Sequence, residues 1–366
     1  MKRVLFLSRS LGAGGAERRM VTIARLLKER GYGVELVCYD HGNFFGNFLE
    51  KSGITVNWLE SGGFFSKLRQ IKKIIKGGKF DVTISFLPTL NIINCLASFG
   101  TKSKVILGES SSSSAFEHFM GWKYVLRGYV EDYLARMLAD VIVSNSDNAS
   151  QLRIERSPWL TKKMRTIHNP VLVKKPEVEY VCRKDGKLHV VVAASIQAIK
   201  NPLAVIMGIA ELNPEFRNQL RFDWYGSVIE QELYEKFLSE IEKYGLNSII
   251  TYHQPTSKIG DIMYQADVVA LFSVAEGLPN AICEGMMLGK PIIMTRISDY
   301  VKMVDDTNGF LCESDDVNSI SRAFEAAISS SDESLLLMGR RSKEKARMMY
   351  QPEMIGNEWK ELIECL

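Results

Sequence analysis

The stretch SVAEGLPNAICEGMMLGKP, Ser273 to Pro291, sets two carboxylates, Glu276 and Glu284, on either side of a Gly-Leu-Pro turn, among residues of buried character. Leu278 precedes a proline and is biased away from the α region, whereas Pro279 suits the first helical position. A helix is therefore predicted to start here and to contain Glu284, with Glu276 in the loop before it. One carboxylate is then aimed across the helix mouth, and the other reaches back from about the second turn. The backbone N–H groups of the Gly277 to Ala281 segment point into the same space. Carboxylates match hydroxyl groups, and amides match phosphates. Burying such carboxylates costs several kcal/mol unless strong donors are supplied, which sugar hydroxyls would do. The competing reading pairs Glu284 with a nearby cation such as Arg296 and leaves Glu276 solvated.

A second candidate follows the first apolar run. In SLGAGGAERR, Gly12, Gly14 and Gly15 allow close backbone approach and positive φ, and Ala16 begins a helix whose N–H groups favour an anion. As a dinucleotide fingerprint the loop fails, because Glu17 stands where the last glycine belongs, although Asp40 lies near the distance for a ribose contact. A plain strand-to-helix turn is the alternative.

These residues need elements to position them. Short β-branched or aromatic runs (RVLFLS, GVELVCY, ITVNWL, DVTISF, KVIL, ADVIVSN) alternate with helical stretches at 16–30, 66–77, 90–98 and 116–138. The rhythm restarts at LHVVVAAS, with a helix from Asn201, LRFDWYG, a helix at 230–244, SIITYHQ, DVVALFS, a helix after Pro279, PIIMT, and helices to the end. This is an α/β pattern of two doubly wound, Rossmann-like sheets. The polar segment 172–186 is the expected linker, between a domain at 1–172 and another at 187–348. Ligands bind outside the carboxyl ends of such strands, so two sheets facing each other would enclose a cleft.

Composition agrees with two cores: 366 residues exceed what one core usually organises. A net charge of +3 gives no general pull toward nucleic acid. The six scattered cysteines form no metal-ligand spacing, which predicts reduced thiols and no structural zinc. The apolar run of MKRVLFLSRS is too short for a signal peptide or a membrane span, so a cytoplasmic protein is expected.

The run EGLPNAICEGMMLGKP strongly resembles the E-x7-E signature of retaining, nucleotide-sugar-dependent glycosyltransferases of family 4, and GAGGAE resembles their glycine loop. VIVSNS (141–146), HNPV (168–171), IKNP (199–202), WYGS (224–227), YQADVVALFS (264–273) and DDTNGFLCESDD (305–316) fall in family order, over essentially the whole chain. The resemblance implies a GT-B fold with the acceptor mainly on the first domain, the donor nucleotide mainly on the second, and a last helix at 349–366 that crosses back. It implies that Glu276 holds hydroxyls of the donor sugar near the reacting carbon, Glu284 the ribose hydroxyls, and Lys200 the diphosphate. Gly14 and Gly15 would approach the diphosphate, and Gly277, Leu278, Pro279 and Asn280 would line the donor pocket. No D-x-D occurs, so the phosphates are expected to meet Lys200, amides and helix N-termini without a metal or other cofactor.

The chain departs from the family pattern twice. The Gly-Arg that precedes the lysine reads Ala194-Ser195. Each preorganised cation at a departing diphosphate can be worth about 3 kcal/mol of barrier, so either Arg296 or Arg18 substitutes or activity is reduced. In VILGESS, Glu109 and Ser110 stand where many relatives place a histidine near the acceptor, which makes Glu109 a candidate to orient or deprotonate the acceptor hydroxyl. His118 is a second candidate.

The segment 64–80, FFSKLRQIKKIIKGGKF, carries six cations and no acid, with Phe64, Leu68, Ile71 and Ile75 at helical spacing. It predicts a basic amphipathic helix able to rest on anionic lipid; the alternative is a helix packed on its own sheet with solvated lysines. Phe116, Phe119, Trp122, Tyr124 and Tyr129 could add to a membrane or acceptor surface, or be core. The resulting expectation is a retaining, metal-independent hexosyltransferase. It would move a sugar from a UDP-linked donor to a glycan or lipid-linked glycan in bacterial surface polysaccharide synthesis. The rivals are a nucleotide-sugar epimerase, a donor-binding protein that has lost turnover, and more distantly a dehydrogenase.

Overall fold

The computed structural model describes residues 1–12, 14–109, 122–174 and 178–366. Ser110, Phe116, His118 and Phe119 lie outside the described residues, as does the side chain of Tyr124. The chain divides into two units, Met1–Pro170 with Pro352–Leu366, and Val171–Gln351.

The first unit holds β1 (Arg3–Ser8), β2 (Gly33–Cys38), β3 (Thr55–Trp58), β4 (Val82–Phe86), β5 (Lys104–Glu109), β6 (Val141–Ser144) and β7 (Met164–Thr166). They form one parallel sheet in the order β3-β2-β1-β4-β5-β6-β7. Successive strand residues point to opposite faces, and β1 shows the consequence. Val4 and Phe6 join a core with Met20, Ile23 and Leu27 of the Gly15–Glu29 helix. Leu5 and Leu7 join another with Ile71 and Ile75 of the Phe64–Gly78 helix and Leu90 and Ile93 of the Pro88–Ser98 helix. Both faces of β1 are covered, so it is a near-continuous apolar run, whereas β4 is buried throughout but turns Thr83 and Ser85 to one face, hydrogen-bonded to Ser98 and Asn91.

The last helix, Pro352–Glu364, belongs to this first unit and buries Ile355, Trp359 and Ile363 in the core that holds Phe86. Arg30 donates to Glu353 O at 2.7 Å and to Asn357 Oδ1 at 3.0 Å, and Lys2 donates to Ile363 O at 2.7 Å. Burying three such side chains stabilises the docking by roughly 1.5–3 kcal/mol each.

The second unit holds β8 (Leu188–Ala193), β9 (Leu220–Tyr225), β10 (Ile250–His253), β11 (Val268–Leu271), β12 (Ile292–Thr295) and β13 (Gly309–Cys312), parallel in the order β10-β9-β8-β11-β12-β13. The edge strand β13 and, in the first unit, β7 are elements beyond those predicted. The segment expected to be a linker is tied to this unit where it is described. Tyr180 donates to Asp267 Oδ1 at 2.7 Å, and Arg183 donates to Ser330 O at 2.7 Å and pairs with Asp332 at 2.9 Å.

Candidate functional site

Each sheet reverses its winding once, between β1 and β4 and between β8 and β11. The carboxyl ends of strands at such a switch are where open α/β sheets bind ligands. In the second unit, β8 runs into a turn at Ala198–Lys200, and β11 runs into the loop that carries Glu276. Val274 N donates to Ile199 O at 2.8 Å and ties the two loops together. Lys200 and Glu276 meet there as an ion pair, and Ser273 Oγ donates to the same Glu276 Oε1 at 2.7 Å. Asn201 holds the lysine's turn in the left-handed region, φ 59°, which asparagine tolerates better than most residues, and its amide donates to Ser314 O at 2.7 Å. Pro202 then starts the Pro202–Ala210 helix.

The helix after the Gly-Leu-Pro turn spans Asn280–Met287, with Pro279 as its N-cap, so it starts one residue later than predicted. Glu284 lies within it and is half-buried, while Gly277, Leu278 and Pro279 are buried and Asn280 is half-buried. Gly285 lets this helix approach β11 closely, because a Cβ there would sit 2.8 Å from Val269 Cβ. Ser298 donates to Gly277 O and Thr295 Oγ1 to Ser273 O at 2.6 Å, so the loop is held from β12 as well. The fold thus supplies a cation, two carboxylates and a helix start at one switch point.

At the departure from the family pattern, Ala194 O accepts from Trp224 Nε1 at 2.7 Å, and Ser195 Oγ accepts from Gln197 Nε2 at 3.0 Å. Gly226 packs so tightly here that a Cβ would lie 1.9 Å from Ala194 O. Arg296, weighed above as a stand-in or as a partner of Glu284, pairs with Glu313 at 2.8 Å and lies over the Tyr300 ring. Arg18 is exposed in the first unit.

The glycine loop of the first unit differs from expectation in its backbone. Gly14 caps the Gly15–Glu29 helix in an extended conformation, φ −69°, and neither it nor Gly12 or Gly15 takes a positive φ. The turn needs none, because Leu11 pairs with the next loop through Leu11 N to Gly42 O at 2.7 Å and Phe45 N to Leu11 O at 3.1 Å. Gly14 and Gly15 are both exposed, and a Cβ at Gly14 would meet only the end of the Glu17 side chain.

Glu109, at the end of β5, is buried and its Oε2 accepts from Arg153 at 2.6 Å. Arg153 also reaches Glu131 at 3.1 Å and Asp132 at 2.9 Å, and Asp132 accepts from Arg156 at 2.8 Å and Ser157 at 2.6 Å. Burial pushes the Glu109 carboxyl up and Arg153 pulls it back. Burial likewise pulls Arg19, which donates to Glu109 O at 2.7 Å, down to about 9. With three carboxylates against Arg153, Arg156 and Arg19, the cluster is charge-balanced, and Glu109 is committed to Arg153. Sequence reasoning missed this network, because its bonded partners are 21 to 90 residues apart in the chain.

A cavity of about 650 Å³ opens at the β1/β4 switch of the first unit, lined by Arg9, Tyr39, Asp40, Lys67, Leu87 to Leu90, and Arg127. Three cations face one acid, and Asp40 pairs with Arg9 at 3.2 Å. Leu87 is held at φ 81°, a strained conformation for a residue with a Cβ, directly before the Pro88–Ser98 helix. The signal in the sequence was only that Arg9 and Leu87 follow strands.

Two parallel-sheet Rossmann-like α/β units are the architecture of GT-B glycosyltransferases. Residues 13–175 match the family model described as Glycosyltransferase Family 4, and residues 187–330 match the one described as Glycosyl transferases group 1. The chain belongs to glycosyltransferase family 4 and is a glycosyltransferase of the GT-B fold. It is 23% identical, over 99% of its length and 98% of the relative's, to a Campylobacter jejuni alpha-1,4-N-acetyl-D-galactosaminyltransferase named for a diNAcBac-PP-undecaprenol glycan. It is 25% identical, over 78% of each chain, to the capsular polysaccharide biosynthesis glycosyltransferase CapH of Staphylococcus aureus. Among solved structures, Anabaena HepE in complex with UDP and glucose superposes with a TM-score of 0.85 over 100% of both chains at 18% identity, a likeness of fold.

Proposed function

We propose that this glycosyltransferase moves a hexose from a UDP-linked donor, with retention, to a hydroxyl of a lipid-linked glycan in bacterial surface polysaccharide synthesis. The observation that carries it is the Lys200–Glu276 pair at the β8/β11 switch, beside the helix that bears Glu284. A diphosphate can replace Glu276 as the partner of Lys200, which releases Glu276 to accept from sugar hydroxyls, while Glu284 holds the ribose. The bond from the anomeric carbon to the diphosphate oxygen breaks, and the acceptor oxygen bonds to that carbon from the same face. The acceptor proton passes to an oxygen of the departing diphosphate. Lys200 and the segment Gly277 to Asn280 would meet the growing charge without a metal.

The UDP complex of HepE supports the choice of nucleotide, and the names of the Campylobacter and Staphylococcus relatives support the acceptor class. The cationic cavity of the first unit is the candidate seat for an acceptor's phosphates. Among the described residues, no helix is long and apolar enough to cross a membrane. The Phe64–Gly78 helix buries Ile71 and Ile75 and turns Arg69, Lys73 and Lys76 outward, which suits peripheral contact with anionic lipid on the cytoplasmic face. The test is transfer from labelled UDP-hexoses and UDP-N-acetylhexosamines to a polyprenyl-diphosphate glycan in EDTA, with the product anomer read by NMR. An α product from an α donor is expected; an inverted product, or transfer only with added metal, would overturn the mechanism.

A further inference from the structure

The Trp122–Leu138 helix of the first unit packs Ala135, Leu134 and Leu138 on a core yet carries a second, outward apolar face. Its two acids, Glu131 and Asp132, are buried against Arg153 and Arg156, while Trp122, Leu126, Tyr129, Val130, Tyr133 and Met137 are exposed. Those six recur at intervals of three or four residues with one adjacent pair, which gathers them into a single stripe about 25 Å long. Exposure reaches 71% at Trp122 and 62% at Tyr133 and Met137. Among the helix's described side chains, the other exposed residues are both cations, Lys123 and Arg136. A surface helix ordinarily faces its acids to water and its apolar residues to the sheet.

The chemistry of the stripe selects its occupant. Trp and Tyr pair an apolar ring with a polar tip, which suits the boundary between headgroups and acyl chains, and flanking cations without acids suit anionic headgroups. A second copy of the chain is disfavoured, because a two-fold contact would set Lys123 and Arg136 against their own like charges. The stripe also continues a surface. The Pro88–Ser98 helix packs between this helix and the basic Phe64–Gly78 helix, at whose start Phe65 is 82% exposed. Arg127 of the same helix and Lys67 of the other line the cationic cavity.

We propose that the outward face of the Trp122–Leu138 helix lies in the headgroup region of an anionic bilayer, with its axis along the membrane plane. The inference extends the lipid-linked acceptor reading and presents the cavity at headgroup level.

The test is co-sedimentation of the full chain with vesicles of phosphatidylglycerol and phosphatidylcholine, and with phosphatidylcholine alone. Wild type is compared with Leu126→Gln/Tyr133→Gln/Met137→Gln and with Lys72→Gln/Lys73→Gln. Wild type should bind the anionic vesicles, and the stripe variant should lose about tenfold or more in affinity while keeping its circular dichroism and melting temperature. Equal binding by wild type and stripe variant, or loss only in the lysine variant, would overturn the proposal. So would a wild-type dimer in vesicle-free solution that the stripe variant abolishes, which assigns the stripe to a second copy. A thermal shift with UDP on the same samples keeps the donor reading separate: its failure with vesicle binding intact counts against that reading alone.

Discussion

Lys200 and Glu276 come from loops on the two sides of the β8/β11 switch and meet as an ion pair at the end of a sheet. Side-chain exposures of 18% and 12% leave each group partly desolvated, so each needs the other until a ligand arrives. Lys200→Ala is expected to lower turnover by about a hundredfold, through lost charge stabilisation of the leaving diphosphate. In the absence of donor, a double-mutant cycle with Glu276→Gln should show a coupling of about 1–2 kcal/mol in denaturant melts. Additive effects would mean that the pair is not formed in solution.

Gly285 sets how closely the Glu284 helix lies on β11. A methyl group at this position must displace Val269, which is strand-bound and itself buried. Gly285→Ala should therefore destabilise the second unit by about 1–3 kcal/mol, and weaken nucleotide binding more than an equally destabilising substitution elsewhere in the same core. Calorimetric titration with UDP compares the two.

Removing the Arg153 guanidinium from the buried cluster leaves Glu109 and Glu131 without their ion-pair partner, while Asp132 keeps Arg156. Arg153→Met should cost about 3–5 kcal/mol at neutral pH. Burial raises carboxyl groups left without a cation, so the native variant takes up protons that the unfolded chain does not, and its stability falls as pH rises. The deficit against wild type should thus be smaller at pH 5 than at pH 8, in urea melts at both; a pH-independent deficit would contradict the arrangement.

Asp223 on β9 accepts from His189 on β8 at 2.7 Å and His253 on β10 at 2.8 Å, with Arg221 at 3.0 Å. Burial alone would raise its carboxyl, but the two histidine hydrogen bonds and the Arg221 charge hold it at about 2. Below its ordinary value near 3.9, the stabilisation is lost as pH falls toward 2. Melting temperature should therefore drop between pH 4 and pH 2 less steeply in Asp223→Asn than in wild type.

Much of this was legible in the sequence, for identifiable reasons. The apolar runs of β1, β8 and β11 are buried on both faces and carry the strongest local signal, so the two doubly wound sheets could be read directly. The Leu278-Pro279 pair located the Glu284 helix to within one residue. Elements whose stability is tertiary were not legible. β7 has three residues and β13 four, each pairing on one side only, and the Asp147–Arg156 helix has little amphipathic pattern beyond its Ser146 cap. The segment 172–186 looked like a linker because its anchors are isolated residues, Tyr180 and Arg183, whose partners lie 84 to 149 residues later. The candidate donor residues were legible because they follow strands, whereas the burial of Glu109 was not, since no local pattern announces Arg153.

The most direct test is thermal stabilisation by UDP and UDP-sugars in EDTA, for wild type, Lys200→Ala and Glu284→Ala. A ligand that binds only the native state must raise the melting temperature, and one at a hundred times its dissociation constant contributes about 2.7 kcal/mol. The predicted result is a shift with one UDP-sugar that both substitutions abolish. A shift that survives both, or one produced by NAD and by no sugar nucleotide, would contradict the assignment of this switch point as the donor site.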